Sequence, residues 1–229
     1  TRGSAVSVGS RQTLEKAQQL AAEALEASAD DIQYSQGEFR VAGTDLAIGL
    51  AELAQRQPNQ RIELQSTTSA SGPTWPNGCH VCEVELNPQT GEVKMAAYAS
   101  VNDVGRVVNP LIVRGQLDGG AVQGMGQALL EQVVYDPETG QLLTGSLMDY
   151  AVPHADIMPA MFETQMDERI PCKNNVLGVK GVGELGTIGA TPALVNAVAD
   201  ALARHGHAKT APRLQMPLTP YRLWGQLQE

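Results

Sequence analysis

The chain has 229 residues, of which 42% are hydrophobic and 18% charged, and this composition is typical of a globular protein with one large or two small domains. Its net charge of −9 argues against nucleic acid and anionic membranes as partners, because both attract basic surfaces. No run of 18 apolar residues is present, so the sequence predicts no membrane span. The low, odd number of cysteines (Cys79, Cys82 and Cys172) favours a reducing, cytoplasmic compartment.

The first part of the chain predicts helices and one hairpin. Residues 1–10 are rich in glycine and serine and are expected to form a loop that faces a ligand. Residues 12–27 carry apolar side chains at helical spacing, which predicts an amphipathic helix. A β-hairpin is predicted over residues 32–41, with its turn at Gln36-Gly37.

A second helix and a long loop are predicted next. Thr44 and Asp45 are expected to cap this helix, which ends near Arg56. Residues 57–78 are rich in proline, serine and threonine and predict a long loop. Such loops in compact domains are usually functional or disordered, so this one is a candidate wall of a site.

The middle of the chain predicts a hairpin followed by a glycine-rich helix. The alternating segments 79–86 and 93–103 are separated by a turn sequence and therefore predict paired antiparallel strands. A loop is predicted over 104–116 and a helix over 117–131. The many glycines of this helix indicate close packing against a backbone or a cofactor.

The last part predicts another hairpin over 132–147 and a final helix. Thr191 and Pro192 carry the pattern of an N-cap and a first helical position, and Gly206 is expected to end the helix. Helices and strands mix without strict alternation. The fold class predicted is therefore α+β, with two-layer mixed sheets and packed helices.

The Cys-x-x-Cys spacing at Cys79 and Cys82 is interpreted as part of a strand. Side chains three positions apart in a strand point to opposite faces, and no second pair of ligands follows. We therefore expect no metal site here. His80 and His154 have no partner in the sequence that would make a catalytic dyad, and Asp103, beside Gly105, is expected to form a turn.

Glu184 is the most informative residue, because it stands alone among glycines and small apolar residues from 181 to 190. Glycines let the main chain approach a ligand closely. A carboxylate in an apolar, tight loop is expected to have its ionised form disfavoured, which suits proton transfer. Ordinary loops also collect glycine and polar residues, so this segment alone does not define a site.

Three segments together carry a resemblance to a known family. They are the run Gly9-Ser10-Arg11-Gln12-Thr13, the stretch from Asn102-Asp103-Val104-Gly105 through Gly115-Gln116 to Gly126, and Gly181-Val182-Gly183-Glu184 followed by Ala190-Thr191-Pro192. In order and spacing they resemble the C-terminal part of the molybdenum-binding catalytic subunit of the xanthine dehydrogenase and aldehyde oxidase family. The resemblance covers residues 1–229, with a candidate division into 1–65 and 66–229, and implies a fold of the molybdenum cofactor-binding domain type.

The resemblance implies a role for each matched residue. Glu184 is similar to the family's active-site glutamate and would act as general base. Gln116 and Gly183 are similar to residues that contact the molybdopterin. The residues Gly9, Ser10, Arg11, Gln12 and Thr13 resemble the loop that contacts the pterin and its phosphate. Hydroxyls beside a helix N-terminus suit an anion, although Ser10 or Thr13 could equally be an ordinary helix cap and Gln116 an ordinary surface residue.

The activity implied is oxidation of an aldehyde or N-heterocycle carbon with oxygen derived from water. The implied cofactor is molybdenum-molybdopterin, as such or as its cytosine dinucleotide, with iron–sulfur clusters and FAD on other chains or domains. The implied partners are the rest of the molybdenum subunit, an iron–sulfur subunit, a flavin subunit as a further candidate, and a small-molecule substrate.

The family's catalytic subunit is much longer than this chain. The resemblance therefore implies either one chain of a split subunit or an excised domain that is inactive in isolation. A non-catalytic scaffold or assembly domain of the same ancestry is the alternative. Leu185 stands where xanthine-oxidising relatives tend to carry proline, which disfavours purines, and carbon monoxide oxidation is left open.

Overall fold

The computed structural model of the protein describes residues 2–209 and 211–228. The chain forms two compact units. The first contains Thr1–Pro73 and Lys173–Leu177, and the second contains Thr74–Cys172 and Gly178–Glu229. Helices and two small three-stranded sheets make up the fold, which confirms the predicted α+β class. The division into 1–65 and 66–229 stays a prediction.

The first unit packs one long helix on a small antiparallel sheet. Its elements are α1 (Arg2–Ala24), β1 (Ile32–Ser35), β2 (Glu38–Val41), β3 (Ala47–Gly49) and α2 (Leu50–Gln55). The strands pair in the order β1-β2-β3. Its core consists of small and branched apolar side chains around one phenylalanine: Ala17, Ala21, Ala22, Ile32, Phe39, Ile48 and Leu53.

The loop predicted over residues 1–10 is wrong, because α1 begins at Arg2. The glycines and serines there are tolerated in the helix because it packs closely within the first unit. Ser4 is buried, and a Cβ at Gly3 would lie 2.9 Å from the Leu177 side chain. Tertiary packing outweighs the low helix propensity of glycine.

The hairpin predicted over 32–41 is confirmed, with Gln36 and Gly37 both at positive φ in its turn. The cap predicted at Thr44 is wrong. Its hydroxyl accepts from the Leu46 N–H inside a turn, and α2 begins only at Leu50 after strand β3.

The second unit contains the sheet with the longer strands and two long helices that pack against each other. Its elements are β4 (Asn77–Leu86), β5 (Val93–Asp103), α3 (Pro110–Leu129), β6 (Met161–Asp167), α4 (Leu185–Leu202) and α5 (Pro220–Leu227). The β4–β5 hairpin is antiparallel, as predicted, and β6 joins β5 in parallel. The core between this sheet and α3 and α4 is formed by Met95, Tyr98, Ala121, Met125, Leu194, Val198 and Leu202.

Several predicted boundaries in the second unit are wrong. Helix α3 begins at Pro110, inside the loop predicted over 104–116, and Asn109 caps it by accepting from Ile112 N–H at 3.1 Å. The hairpin predicted over 132–147 keeps its turn at 136–140, but its arms form a single β-bridge, Tyr135–Leu142, instead of two paired strands. Strand β6 and helix α5 were not predicted.

Helix α4 begins at Leu185, so the predicted start at Thr191 and Pro192 is wrong. Pro192 lies inside the helix, and the Thr191 hydroxyl lies 3.2 Å from the Gly124 carbonyl of α3 instead of capping. A left-handed residue, Gly206 at φ 100°, follows in a π-helical turn (Ala203–His207), near the predicted end.

One segment, 185–207, is long and apolar enough to cross a membrane by length and composition, contrary to the sequence-based expectation. In the structure its first part is α4, whose Leu194, Val198 and Leu202 are fully buried in the core. These contacts are those of a core helix.

Candidate active site

Glu184 lies where an irregular segment enters α4. It occupies the N-cap position with φ −107° and ψ −8°, and its carbonyl accepts from Ile188 N–H at 3.0 Å. Its side chain makes no capping bond and is exposed. Within residues 2–209 and 211–228, no hydrogen bond or ion pair engages this carboxylate, which leaves it available to a ligand.

The apolar loop that carries Glu184 leaves its side chain exposed. The residue borders an open cavity of about 590 Å³ in the second unit. The cavity walls are mainly apolar, and Trp75 and Ile188 are exposed on them by 72% and 68%. The carboxylate therefore lies beside a surface suited to a planar, apolar molecule.

Gln116 and Gly183, two of the predicted cofactor contacts, lie next to Glu184. Gln116 is exposed on α3, and its Oε1 lies 3.8 Å from the position that a Cβ would take at Gly183. Helices α3 and α4 approach closely here because Gly186 has no side chain. A Cβ at Gly186 would lie 2.7 Å from Ala121 N and would clash with the Leu117 carbonyl.

Residues Gly9 to Thr13 do not lie at a helix N-terminus, where the sequence interpretation placed them. They lie in the middle of α1, so their backbone N–H groups are those of a helix interior rather than of an N-terminus. Thr13 donates its hydroxyl to the Gly9 carbonyl at 2.8 Å, and Arg11 lies 4.0 Å from Glu15. Ser10 and Thr13 do line a cavity of about 300 Å³ in the first unit, and a cofactor contact for these residues stays a prediction.

His80 is a site residue that the sequence interpretation missed. Its ring lies in the wall of the large cavity, and its Nδ1 is 2.5 Å from the Tyr98 hydroxyl of the paired strand. Burial lowers the pKa of His80, and the Asn102 side chain acts in the opposite direction. Burial also raises the pKa of Tyr98, so the phenol keeps its proton and can donate it to a hydrogen bond with Nδ1. Strand alternation, which puts His80 on the same face as Cys82 and Val84, is the signal that could have found it.

Two buried polar atoms lie close to Gly78 in the cavity wall. His80 Nε2 and Asn102 Oδ1 have no hydrogen bond within the described part of the chain. A side chain at Gly189 would collide with the His80 ring, so this glycine lets the ring lie directly against α4. The His80 ring therefore fixes the spacing between the sheet and the first turns of α4.

Asp103 does form the predicted turn, since its Oδ1 accepts from Gly105 N–H at 3.1 Å. It also pairs with Lys180, four residues before Glu184, at 2.5 Å. Burial acts to raise the pKa of Asp103, but hydrogen bonds from Lys180 and Gly105 outweigh it and hold the pKa below its usual value.

The donor groups around Glu184 fit an anionic, oxygen-rich cofactor such as molybdopterin. Helix α4 has 18 residues, and the N–H groups of its first turn have no partner within the helix. The exposed Gly181 and Gly183 give open access to the backbone, and Gln116 adds a side-chain amide. No three His, Cys, Asp or Glu side chains cluster as metal ligands among residues 2–209 and 211–228.

The site thus combines a glycine-lined helix N-terminus with a glutamine on the neighbouring helix. The sequence profile of the molybdopterin cofactor-binding domain matches residues 1–159, and the chain belongs to this family. The resemblance derived from the three sequence segments is confirmed.

The chain is similar to subunits of a dehydrogenase complex and of a nicotine hydroxylase, and to a carbon monoxide dehydrogenase of known structure. The chain is 37% identical to the 6-hydroxypseudooxynicotine dehydrogenase complex subunit gamma of Paenarthrobacter nicotinovorans over 94% of its length, and 38% identical to the nicotine 6-hydroxylase large subunit of that organism over 89%. A crystal structure of the Cu,Mo-CO dehydrogenase is similar over 100% of the chain, with a TM-score of 0.82 and 32% identity. The chain spans only 27%, 26% and 29% of these proteins, respectively.

Proposed function

We propose that this chain supplies the general base and part of the cofactor-binding surface of a molybdenum hydroxylase. The enzyme would oxidise a carbon of an aldehyde or N-heterocycle with oxygen derived from water. The observation that carries the proposal is the unpartnered Glu184 carboxylate at the edge of an apolar cavity, with Gln116 and Gly183 beside it.

Each of these residues has a role in the proposed site. The Gln116 amide and the first N–H groups of α4 bind oxygens of the pterin cofactor, and the helix N-terminus favours their negative charge. Glu184 Oε accepts a proton from the water-derived oxygen as it becomes a nucleophile. The cofactor, when bound, supplies the two-electron oxidation that side chains cannot carry out.

The apolar cavity favours an N-heterocycle over a charged metabolite. Trp75 offers a planar face, and Pro76 and Ile188 add apolar surface beside the carboxylate. Two relatives that match most of the chain have names that refer to nicotine or a derivative of it, which supports the same substrate class.

The partners proposed are the remaining part of the molybdenum subunit, an iron–sulfur subunit and a flavin subunit. These would hold the clusters and FAD that carry electrons onward. A relative named as subunit gamma of a complex supports an assembly of several chains. Cofactor in the cytosine dinucleotide form and a cytoplasmic location are further parts of the proposal.

Elemental analysis and turnover of a Glu184→Gln variant test the proposal. The chain is purified from a molybdopterin-producing host together with the chains that co-purify, and turnover is measured with aldehydes and N-heterocycles. We expect near-stoichiometric molybdenum in both proteins and a loss of turnover of about 10²–10⁴-fold in the variant, as for removal of a positioned base.

The matched control is Glu138→Gln, which neutralises an exposed carboxylate in the 136–140 turn outside the cavity. It should leave turnover unchanged. Turnover of Glu184→Gln within about threefold of wild type, with molybdenum retained, would refute the assignment of the base. A preparation without molybdenum would favour the scaffold alternative.

A further inference from the structure

We propose that Lys180, through its ion pair with Asp103, is the positioning residue for the turn that presents Glu184. The inference rests on the proposed function, because it assigns Lys180 a purpose in that site. Lys180 itself is not among the residues lining the cavity and acts through the backbone of residues 181–184.

The ion pair is more buried than the other described salt bridges. The Lys180 side chain is 8% exposed and that of Asp103 is 22% exposed, with Nζ and Oδ2 at 2.5 Å. A buried pair is weak evidence for stability, because desolvation of both charges offsets their attraction. The contribution that we assign to this pair is geometric: Asp103 holds the Lys180 side chain, and with it the adjoining backbone, in one position.

Backbone hydrogen bonds attach the same segment to the end of β5. Lys180 N–H donates to the Val104 carbonyl at 3.1 Å, and Gly105 and Val179 form an antiparallel bridge. Arg106 N–H donates to the Gly178 carbonyl at 2.9 Å. The residues 178–180 are therefore bound to the chain after β5 by main chain and side chain together.

The three residues between Lys180 and Glu184 need this attachment. Two of them, Gly181 and Gly183, have no side chain to restrict their backbone. One hydrogen bond, from Gly181 N–H to Thr74 Oγ1 at 3.3 Å, connects this span to the loop before β4. Lys180 on one side and the close packing of Gly186 on the other fix the ends of the span that carries the carboxylate.

A second carboxylate, Asp167, lies beside Asp103. Removing Lys180 alone should therefore disturb the turn more than removing both members of the ion pair. Asp103 pairs in register with Asp167 at the ends of the parallel strands β5 and β6, and Arg169 lies 2.5 Å from Asp167. Hydrogen bonds from Arg169 lower the pKa of Asp167 most, and the positive charge of Lys180 lowers it further. Removing Lys180 alone leaves Asp103 beside a like charge without its partner, whereas removing both members of the pair does not.

Four variants test the inference: Lys180→Met, Lys180→Arg, Asp103→Asn and the double variant Lys180→Met/Asp103→Asn. Each is purified with its partner chains, and molybdenum content, kcat, KM and hydrogen exchange of peptides within 179–189 are measured. Arg204→Met is the control, since Arg204 also forms an ion pair, at 2.7 Å to Asp200, but at the far end of α4.

For Lys180→Met we expect about tenfold faster exchange of the amides of 181–184. We also expect a kcat lower by about 10²-fold, as for a displacement near 1 Å, with molybdenum content and KM little changed. Lys180→Arg and the double variant should fall between it and wild type. In a Glu184→Gln background, Lys180→Met should no longer lower kcat, because its effect passes through that carboxylate.

Unchanged exchange in Lys180→Met would overturn the inference whatever the role of Glu184. An equal loss of kcat with and without the Glu184 carboxylate would also overturn it. If Glu184→Gln keeps full turnover, the proposed function is refuted. The hydrogen-exchange measurement still decides, independently, whether Lys180 orders the turn. Should Lys180→Met not accumulate as folded protein, Lys180→Arg and Asp103→Asn decide by the same measurements.

Discussion

Gly186→Ala should destabilise the protein, although alanine is normally the better helix former. A Cβ at this position of α4 would lie 2.7 Å from Ala121 N and 3.0 Å from the carbonyl carbon of Gly120. Unstrained carbon contacts lie near 3.5–4.0 Å, so the two helices must separate by roughly 1 Å. The obstructing atoms belong to the backbone of α3, and no rotamer change can move them away.

The magnitude follows from two opposing effects. Overpacking costs about 1–3 kcal/mol, and replacing glycine by alanine inside a helix returns up to about 1 kcal/mol. Because the obstructing atoms are backbone atoms, the cost lies at the upper end of this range, and the net loss of about 2 kcal/mol corresponds to an apparent Tm lower by about 4–8 °C for a protein of this size.

Differential scanning fluorimetry of the full chain, with any co-purifying chains at fixed concentration, measures this shift. The matched control is Gly119→Ala on the facing helix α3, where a new Cβ meets nothing within 4 Å. That variant should gain about 0.5–1 kcal/mol from helix propensity. An unchanged or raised Tm for Gly186→Ala would refute the close approach of the two helices.

Two further predictions concern ionisation and thiol reactivity. The pKa of Asp103 lies below its usual 3.8 and that of Asp167 is lowered to about 2. The ionised carboxylates of Asp103 and Asp167 therefore stabilise the folded protein above about pH 4, and this stabilisation is lost as the pH falls towards 2. In a series of Tm measurements over this pH range, the decrease in Tm should be smaller for Lys180→Met than for wild type. Burial raises the pKa of Cys82 to about 11, so iodoacetamide at pH 8 should label exposed Cys79 faster, as peptide mass spectrometry would show. Equal labelling would contradict the burial of Cys82.

The sequence predicted correctly those elements whose contacts lie within one short stretch of the chain. The β4–β5 hairpin follows from alternating side chains on both sides of one turn sequence, and its paired residues lie within a single short stretch. The juxtaposition of Gln116, Gly183 and Glu184 was accessible only through the family resemblance. They belong to two helices far apart in the sequence, and no periodicity predicts their packing.

The start of α4 shows how a strong local signal can mislead. Thr191-Pro192 is a typical helix beginning, yet the helix starts at Leu185. The Thr187 hydroxyl donates to the Gly120 carbonyl at 2.8 Å, and Thr191 lies at hydrogen-bond distance from Gly124. Contacts with α3 therefore stabilise a turn of helix that the local sequence would not begin.

Strand β6 and the role of His80 were missed for the same reason. Met161–Asp167 is a short segment with polar residues, and its strand conformation depends on pairing with β5, more than 50 residues earlier. The position of His80 depends on its contact with Tyr98 on the neighbouring strand and on the absence of a side chain at Gly189. The sequence around His80 shows neither.

The path of the chain between its two units limits how the protein can be dissected. The second unit is interrupted after Cys172 by five residues that belong to the first unit, and it resumes at Gly178. The backbone therefore crosses between the units at 73–74, 172–173 and 177–178. A truncation that begins at Thr74 would leave residues 173–177 without the unit they pack in, and this segment ends three positions before Lys180. A shortened protein that contains only the second unit should therefore replace 173–177 with a short linker, so that a loose segment there does not disturb the turn that carries Glu184.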